Sequence, residues 1–516
     1  MRAERGESIG RILGGTVLGV GVALLGWRFP FAGLGWMEAI FSTVLPYLWL
    51  RASFSGRRLA WTYLGIFLSL MGVFSWVART IEVKGNQPYA VALLGTSLFY
   101  LYEALGLLAV VALARLAHRR AGAWAAGFTA AGGVVAWELF GFHVYQWGWG
   151  STLAGIPWFA RAAAFVTTYG LSALVWGCTA ATASLRAEGR GWTLALRPLA
   201  LGAGLLLGLG WAWMGLPRGP ERMIDVVMVQ PNFPPGERLL GMEEEMWARS
   251  DRILAGRLPR PGVATLLLWP ESAVLGRDDF APEPRLQEEA RRRGVSWIFG
   301  SEGGRPEWKG QRYPLRYNLV RGEAGGQPSF VQAKTEPMPF GERMPGPPGM
   351  RAWLDRVLGF GSAEPGELGA GSSFAMPTPQ GTLRIHPLIC SEALMPVRVQ
   401  EGVALAGADL LANLTNDGWF DRSVATDLHA VQIRLRSVEM GVPLLRCTLT
   451  GKSGVFREDG RWALWGAPMT EAGHAFTLAW SPVRTPARSP WVRRGLLLFL
   501  GAGALLLAWR GRNPAG

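Results

Sequence analysis

The sequence predicts an integral membrane protein in which a bundle of eight transmembrane helices carries an α/β domain outside the cytoplasm. Three observations predict this fold class. Seven apolar stretches precede residue 217, an eighth lies near the end of the chain, and the segment between them alternates strand-like and helix-like runs. We therefore expect a seven-helix transmembrane domain over 1–216, an α/β domain over 217–492 and a C-terminal transmembrane helix over 493–516.

Each apolar stretch is close to the ~20 residues that a bilayer-spanning helix requires, although the last is shorter. Hydrophobic residues make up 49% of the 516 residues and charged residues only 17%, which excludes a wholly soluble protein. The first stretch is not expected to be a cleaved signal, because further stretches follow it at once and no small-residue cleavage site is evident. The eight stretches cover 9–27, 31–50, 60–78, 89–114, 122–142, 163–185, 194–216 and 495–509.

The loop charges predict the orientation of the helices. Arginines cluster in alternate loops, at 2–11, 51–58, 115–120 and 186–197, and the opposite loops carry few. Because cytoplasmic loops are enriched in Lys and Arg, we place these four loops and both termini in the cytoplasm. Residues 217–492 then lie outside it. A pair of arginines at 493–494 sits on the outer end of the eighth helix, against the rule.

The net charge of +14 comes from the membrane part, since acidic and basic residues nearly balance within 217–492. Cationic loops beside a bilayer attract anionic lipids. A nucleic-acid-binding protein would show a basic stripe on its folded domain. None is visible here, so we expect membrane lipids as partners and no nucleic acid.

The segment 217–492 reads as an α/β sandwich, because strand-like runs alternate with runs of helical periodicity. The strand-like runs are 223–229, 265–269, 295–300, 382–389, 409–413, 443–448 and 454–456. The helical runs are 242–255, 284–293, 395–405 and 428–440.

A stretch rich in Gly and Pro, 341–375, contains apolar residues at helical spacing. One interpretation is a short helix packed on its own domain. The other is a lid whose apolar face enters the outer leaflet beside the active site. The apolar residues are Met350, Trp353, Leu354, Val357 and Leu358.

Three side chains at predicted strand ends could perform covalent acyl transfer. Cys390 follows the run 382–389, Glu271 follows a very apolar run, and Lys334 lies in Gln-Ala-Lys. They would supply a nucleophile, a base and a cation, at strand ends where α/β proteins place their sites. Taken singly, each has a commoner role: a free cysteine is usually a packing residue, and Glu and Lys are usually solvated surface charges.

The remaining cysteines and histidines point to no other chemistry. Cys178 lies in an apolar stretch and Cys447 in a strand-like run, so both are expected to be packing residues, and three cysteines form no disulfide framework. His386 and His429 have no ligand cluster at metal spacing. We therefore expect no metal and no cofactor.

Several motifs together resemble the nitrilase (carbon–nitrogen hydrolase) superfamily. Their order, and the position of the domain between a seventh and an eighth membrane helix, resemble the bacterial apolipoprotein N-acyltransferase family in particular. The motifs are Trp269-Pro270-Glu271-Ser272, Lys334 with Pro339-Phe340-Gly341-Glu342, Ile389-Cys390-Ser391-Glu392, Asn413-Leu414-Thr415-Asn416-Asp417-Gly418-Trp419-Phe420 and Arg434-Leu435-Arg436-Ser437-Val438-Glu439.

The resemblance implies a four-layer αββα sandwich and a two-step, ping-pong reaction. Glu271 would deprotonate Cys390, and Lys334 would stabilise the oxyanion. The thiolate would take the sn-1 acyl chain of a phospholipid as a thioester. The α-amine of the N-terminal S-diacylglyceryl-cysteine of an apolipoprotein would then accept the chain. The resemblance also implies a monomer in the bacterial inner membrane, with its catalytic domain on the periplasmic face.

Other residues are implied by the same resemblance. Glu342, Glu392 and Ser391 would support the three central residues, although for both glutamates a structural ion pair is the alternative. Substrate and lid contacts are implied for Met350, Trp353, Leu354 and Trp419. Arg446 is expected to pair with Glu439 rather than to react.

Two departures from the family pattern keep other functions open. Ser391 stands where the family usually has Tyr, and the residues around Lys334 differ from the usual pattern. One alternative is a membrane-anchored carbon–nitrogen hydrolase (amidase) that uses water or a small amine. The other is a non-catalytic paralogue that binds lipoproteins without acylating them.

Overall fold

The computed structural model describes residues 17, 20–21, 35–55, 59–233, 242–255, 262–274, 284–305, 315–325, 327–358, 363, 365–366 and 372–512. The first predicted membrane stretch, 9–27, falls almost entirely outside these residues.

The part before residue 217 is helical. Its main helices are α1 (Trp36–Phe54), α2 (Leu59–Val73), α3 (Trp76–Lys84), α4 (Tyr89–Phe140), α5 (Ala163–Ala187) and α6 (Arg197–Ala212).

The part that follows contains two six-stranded sheets, five helices and a terminal helix. The helices are α7 (Met242–Ala255), α8 (Pro284–Arg293), α9 (Pro348–Leu358), α10 (Pro396–Ala404), α11 (Ala425–Met440) and α12 (Pro490–Arg512). The strands are β1 (Arg222–Gln230), β2 (Thr265–Leu268), β3 (Val295–Arg305), β4 (Leu315–Glu323), β5 (Phe330–Ala333), β6 (Phe374–Thr378), β7 (Gly381–Ile389), β8 (Leu410–Thr415), β9 (Leu444–Thr448), β10 (Ser453–Phe456), β11 (Trp462–Trp465) and β12 (Ala472–Trp480).

Long apolar helices occupy most of the predicted membrane stretches. Among the described residues, three helices are long and apolar enough to cross a membrane: Tyr89–Phe140, Ala163–Ala187 and Trp192–Gly215. The helices α2 and α3, bent by 54° at their junction, form a fourth crossing if they count as one span. Helix α4 covers two predicted stretches and breaks at Gly122, whose φ of 76° is not helical. Several apolar helices are thus confirmed, while eight crossings stay a prediction.

The two sheets pack face to face. The first has the order β12-β1-β2-β3-β4-β5 and the second β11-β10-β9-β8-β7-β6. In each sheet the central pairs are parallel, β1 with β2 and β2 with β3, then β7 with β8 and β8 with β9. Side chains from both sheets, such as Ile224, Leu266, Ile385 and Leu410, form one buried core between them.

Helices cover the outer faces of both sheets, which gives the four layers αββα. On the first sheet, Met246 of α7 and Leu286 of α8 belong to a buried cluster with Trp269 and Trp297. On the second sheet, α10 and α11 share a cluster with β8 that continues into the membrane helices. All sixteen residues of α11 are buried, because it lies between a sheet on one side and the membrane part on the other.

A buried ion pair joins α11 to membrane helix α5. Helix α5 departs from helical geometry at Thr167, whose φ is 63°. The next residue, Thr168, donates from its backbone N–H and from its hydroxyl to Glu439 Oε1, at 2.5 and 2.7 Å. Arg436 binds the other carboxylate oxygen of Glu439 at 2.9 Å and also reaches the Thr168 hydroxyl. The pairing of Arg446 with Glu439 is therefore wrong: Glu439 binds Arg436.

The sequence missed five strands, all at or near the edges of the sheets. They are β4, β5, β6, β11 and β12. β5 and β11 have only four residues each, and the other three contain Gly, Pro or charged residues. The four predicted helices of the domain and the seven predicted strands are present, with ends within a few residues of the expected ones.

Candidate active site

The residues proposed for catalysis lie where three strands end. Glu271 follows β2 by three residues, Lys334 directly follows β5, and Cys390 directly follows β7. The first two strands belong to one sheet and β7 to the other. Because the sheets face each other across a common core, their ends bring a carboxyl, an ammonium and a thiol from different layers to one place.

Glu271 is buried and has one oxygen free. Its Oε1 accepts a hydrogen bond from Asn318 Nδ2 at 2.7 Å, and among the described residues its Oε2 has no partner. Burial raises the pKa of Glu271; Lys334 opposes this rise and Glu342 adds to it. A Cβ on Gly300 would lie 2.5 Å from the Glu271 Cα, so the neighbouring strand must carry glycine there. The free oxygen of a carboxyl with a raised pKa is suited to take a proton.

Lys334 is held between acidic groups. Its Nζ lies 2.6 Å from Glu342 Oε2, and its side chain is 1% exposed. Burial alone would lower the pKa of Lys334, but its interactions with the acidic groups of Glu342, Cys390 and Glu271 raise it above its ordinary value. In turn, Lys334 outweighs burial and holds the pKa of Glu342 below its usual range. The pair is therefore an ammonium and a carboxylate, which leaves Glu271 as the carboxyl with the higher proton affinity.

Cys390 is a half-buried residue on a strained backbone. Burial, with the charge of Glu271 added, raises its pKa to about 12, while Lys334 opposes the rise. The Thr415 hydroxyl donates to Sγ at 3.3 Å, and Asn413 Nδ2 donates to the Cys390 carbonyl at 3.1 Å. The thiol is thus protonated at rest and needs a base beside it before it can attack.

Unusual backbone geometry clusters at this site. Three residues other than glycine adopt positive φ within or beside it: Ser272 after Glu271 (54°), Phe340 before Glu342 (60°) and Cys390 itself (50°). Such conformations cost about 1–3 kcal/mol each and persist only when surrounding contacts enforce them. The fold therefore stabilises an exact placement of these loops.

Glu392 ties the cysteine loop to the lysine loop. Its Oε1 accepts from the backbone N–H and the hydroxyl of Thr335, at 2.7 and 2.9 Å, and its Oε2 accepts from the Ile389 N–H at 2.9 Å. Burial raises the pKa of Glu392 despite these bonds. Because both oxygens are used, Glu392 positions the two loops. Ser391 is 8% exposed, and its hydroxyl has no partner among the described residues.

A second buried polar group lies behind the cysteine. Arg446 Nη2 binds both oxygens of Asp417, at 2.7 and 2.5 Å, and Nη1 binds Asn413 Oδ1 at 3.0 Å. His429 Nδ1 lies 3.2 Å from Asp417 Oδ1. Arg446 thus pairs with Asp417 and not with Glu439. Within the described ranges, no group of three His, Cys, Asp or Glu side chains could hold a metal ion.

A mostly apolar pocket lies at the thiol. Residues 144–146 of the loop between α4 and α5 form one wall. Cys390, Ser391, Met338, Pro339, Leu394, Met395, Phe420 and His429 form the rest. The segment before residue 217 therefore supplies part of the pocket.

The predicted lid helix exists as α9. Two of its apolar side chains, Met350 and Trp353, are 47% and 58% exposed, and Leu354 is half-buried. The side chains of Val357 and Leu358 lie outside the described set. Trp419 is half-buried against the cluster shared with the membrane helices. Exposed apolar groups on a short helix are consistent with a lid, but its role stays a prediction.

Sequence reasoning gave no role to Asn318, Thr415 or the loop at 144–146. Asn318 Nδ2 donates to both Glu271 and Glu342, at 2.7 and 3.1 Å, and so links the base to the partner of the lysine. Asn318 lies in β4, a strand the pattern did not reveal. The loop at 144–146 is distant from the cysteine in sequence, and nothing in its composition pointed to the site.

Comparison with known proteins agrees with this geometry. Residues 242–470 match the carbon-nitrogen hydrolase family. The chain is 29% identical to an apolipoprotein N-acyltransferase of Allorhizobium ampelinum over 84% of this chain and 81% of that protein. It is 31% identical to that of Agrobacterium fabrum over 53% of this chain, which spans about half (51%) of the relative. The family resemblance is therefore confirmed: the chain carries a carbon-nitrogen hydrolase domain and is similar over most of its length to apolipoprotein N-acyltransferases.

Proposed function

We propose that this protein is an apolipoprotein N-acyltransferase that moves an acyl chain from a phospholipid to the N-terminal amine of a diacylated lipoprotein. The observation that carries the proposal is the meeting of Cys390, Glu271 and Lys334 at strand ends, where Cys390 lines an apolar pocket that residues 144–146 also line. The likeness to enzymes of this name over most of the chain supports it.

In the first step, Glu271 accepts the thiol proton through its free Oε2, and the sulfur of Cys390 attacks the sn-1 ester carbonyl of the phospholipid. The negative charge that develops on the carbonyl oxygen is stabilised by Lys334, which burial and its ion pair with Glu342 hold in place. The carbon–oxygen bond then breaks. The leaving alkoxide takes the proton from Glu271, lysophospholipid departs, and a thioester remains on Cys390.

In the second step, the α-amine of the lipoprotein attacks the thioester carbonyl. Glu271 takes a proton from the attacking nitrogen, the carbon–sulfur bond breaks, and the proton returns to the sulfur. The products are an amide and the free thiol, so no external reactant is consumed. The apolar pocket and the lid α9 would keep water away, which favours the amine over hydrolysis.

The membrane frame supports the same assignment. Eight crossings, with the positively charged loops inside, would place the α/β domain on the periplasmic face of the bacterial inner membrane. There its pocket would open toward the outer leaflet, where donor and acceptor both reside. No metal or cofactor enters this scheme, and we propose that the protein acts as a monomer.

The test is a reconstituted reaction. Purified protein in mixed micelles would be mixed with a phospholipid and a diacylated lipopeptide. Mass spectrometry would detect the N-acylated lipopeptide and an acyl thioester on Cys390. We expect product from the wild type and from Cys178→Ala, a control for cysteine loss, and none from Cys390→Ala. Product from Cys390→Ala, or none from the wild type, would refute the proposal. Free fatty acid in place of N-acyl product would favour a hydrolase.

A further inference from the structure

His429 is a buried histidine beside the nucleophile that the reaction scheme does not use. It lies in α11, is 1% exposed and lines the same pocket as Cys390. Its ring packs edge-on against Phe420, with ring centres 5.9 Å apart and planes at 86°. The ring orientation is thus fixed by packing on one side and by polar contacts at one nitrogen.

The two ring nitrogens have different surroundings. Nδ1 lies 3.2 Å from Asp417 Oδ1 and 3.3 Å from Arg446 Nη2. Although burial alone would raise it, the pKa of Asp417 is held below its usual range by Arg446 and His429, so this carboxyl is ionised. Arg446 Nη2 has two hydrogens and lies closer to the two Asp417 oxygens, at 2.7 and 2.5 Å, than to Nδ1, so both hydrogens serve the carboxylate. A carboxylate has no proton to donate and would repel a bare ring nitrogen, so Asp417 selects the form with hydrogen on Nδ1.

That choice leaves Nε2 as a hydrogen-bond acceptor. Nε2 is buried and has no partner among the residues that the structure describes. Burial and the neighbouring Arg446 lower the pKa of His429, so the ring stays neutral and keeps its lone pair at neutral pH. A buried acceptor without a partner destabilises the folded protein. Such a group in a substrate pocket calls for a donor on the ligand.

We propose that His429 Nε2 accepts a hydrogen bond from an N–H of the incoming α-amine and so aims the nitrogen lone pair at the thioester on Cys390. This inference rests on the proposed function and adds the group that binds the acceptor. Of the two substrates, only the lipoprotein terminus brings an amine to the reacting atoms. The phospholipid ester offers only acceptor oxygens there. His429 therefore acts in the second step and not in the first.

The choice of variants separates Nε2 from Nδ1. In His429→Asn the amide nitrogen can take the place of Nδ1 and still donate to Asp417, but nothing occupies the place of Nε2. In His429→Gln the longer side chain can carry its amide to the place of Nε2. His386→Asn is the matched control, since His386 is a buried histidine bonded through Nδ1 to the Ser372 carbonyl, in β7, the strand that precedes Cys390.

The two half-reactions are measured separately. Lysophospholipid release in a single turnover without acceptor reports thioester formation, and addition of diacylated lipopeptide to the isolated thioester enzyme reports transfer to the amine. We expect His429→Asn to form the thioester within about twofold of the wild-type rate. It should transfer the chain about tenfold more slowly, because the loss of one hydrogen bond has an effect of about this size. His429→Gln should recover part of the transfer rate, and His386→Asn should match the wild type in both steps.

Three results would overturn the inference. The first is an equal transfer rate for His429→Asn and His386→Asn, and the second is an equal loss of rate by His429→Asn in both half-reactions. The third is a His429→Gln variant that recovers no transfer rate although its thermal unfolding midpoint is unchanged. If the wild type forms no N-acyl product at all, the proposed function fails first and this inference falls with it. If the wild type forms N-acyl product and His429→Asn transfers the chain at the wild-type rate, only the role of His429 is refuted.

Discussion

Lys334 and Glu342 form an ion pair inside the site, with Nζ 2.6 Å from Oε2. Glu342 Oε2 also accepts from the Met338 backbone N–H at 2.7 Å, so the carboxylate fixes both the ammonium and the loop that follows it. Replacing Glu342 by Gln removes the charge but keeps the shape. Lys334 would then be a buried ammonium without its nearest counter-ion, and its pKa should fall.

We expect Glu342→Gln to slow thioester formation by about 10- to 100-fold, because the oxyanion would lose a well-placed cation. Lysophospholipid release measures this step. Glu302→Gln, a change of the same type in strand β3, serves as the control. A variant with normal thioester formation would show that Glu342 is only a structural partner.

Asn318 should set the pH at which the base works. Its Nδ2 hydrogen bond lowers the pKa of Glu271, which burial otherwise raises. Removing that bond by Asn318→Ala should raise the Glu271 pKa further, so the enzyme must reach a higher pH before the carboxylate is available. The acidic limb of the pH–rate profile for thioester formation should move to higher pH. A shift to lower pH, or none, would contradict this role of Asn318.

The Asp417–Arg446 pair should stabilise the fold strongly. Both side chains are essentially fully buried. Removing one partner of a buried pair leaves the other charge unpaired, which costs about 3–5 kcal/mol. Asp417→Asn should therefore lower the thermal unfolding midpoint markedly in detergent. Glu288→Gln, which removes an exposed pair with Arg291, should change the free energy of unfolding by less than about 1 kcal/mol. Equal midpoints for the two variants would contradict the prediction.

The same pair predicts how stability depends on pH. The folded-state pKa of Asp417 lies below its unfolded value. Its contribution is therefore complete above the unfolded value, about 3.9, and is lost as the pH falls through the lower folded value. The wild type should lose stability over this acidic range more steeply than Asp417→Asn. If the unfolding midpoints of both proteins fall equally as the pH is lowered, other groups govern the acid transition.

The contact between Thr168 and Glu439 should hold the two halves of the protein together. Thr168→Val keeps the side-chain shape but removes the hydroxyl that binds Glu439 and Arg436. Glu439 keeps its bonds to the Thr168 N–H and to Arg436, but a hydrogen bond to a charged group is lost, which costs about 1.5–3 kcal/mol. We expect a lower unfolding midpoint and faster proteolysis near the junction. Thr80→Val, which loses only a local bond to the Trp76 carbonyl, should show neither effect.

The lid prediction concerns α9. Replacing Trp353 and Leu354 together by Ser should slow turnover with phospholipid in vesicles and leave the unfolding midpoint unchanged, because Trp353 is exposed and Leu354 only half-buried. With a water-soluble thioester donor, the double variant should turn over at nearly the wild-type rate. Unchanged turnover with vesicles would mean that α9 is only a packed surface helix.

How much the sequence could predict depended on burial. The helices α7 and α8 begin and end where their apolar spacing predicts, because each has one buried face and one charged face. The central parallel strands are apolar throughout and were equally clear. The edge strand β5 and its neighbour β4 were not, because they are short or carry Arg, Gly and Glu.

For the site, the position of a residue after a strand and the family resemblance together singled out Glu271, Lys334 and Cys390. Partners brought in from distant segments could not be read from local pattern. Asn318 reaches Glu271 across two strands, and Arg446 finds Asp417 and not Glu439 because β9 runs beside β8 while Glu439 points toward α5. Pairing between charged groups is decided by the sheet order and by the membrane interface, neither of which is local.

The complete burial of α11 has a consequence for anyone who wishes to work with the α/β domain alone. A fragment cut free of the membrane helices would expose a helix with no solvent-facing side, including the carboxylate of Glu439 without its threonine partner. Such a fragment should aggregate or bind detergent along that helix. The α/β domain is accordingly not a tethered soluble enzyme. It forms a single folding unit with the membrane helices, which cover α11.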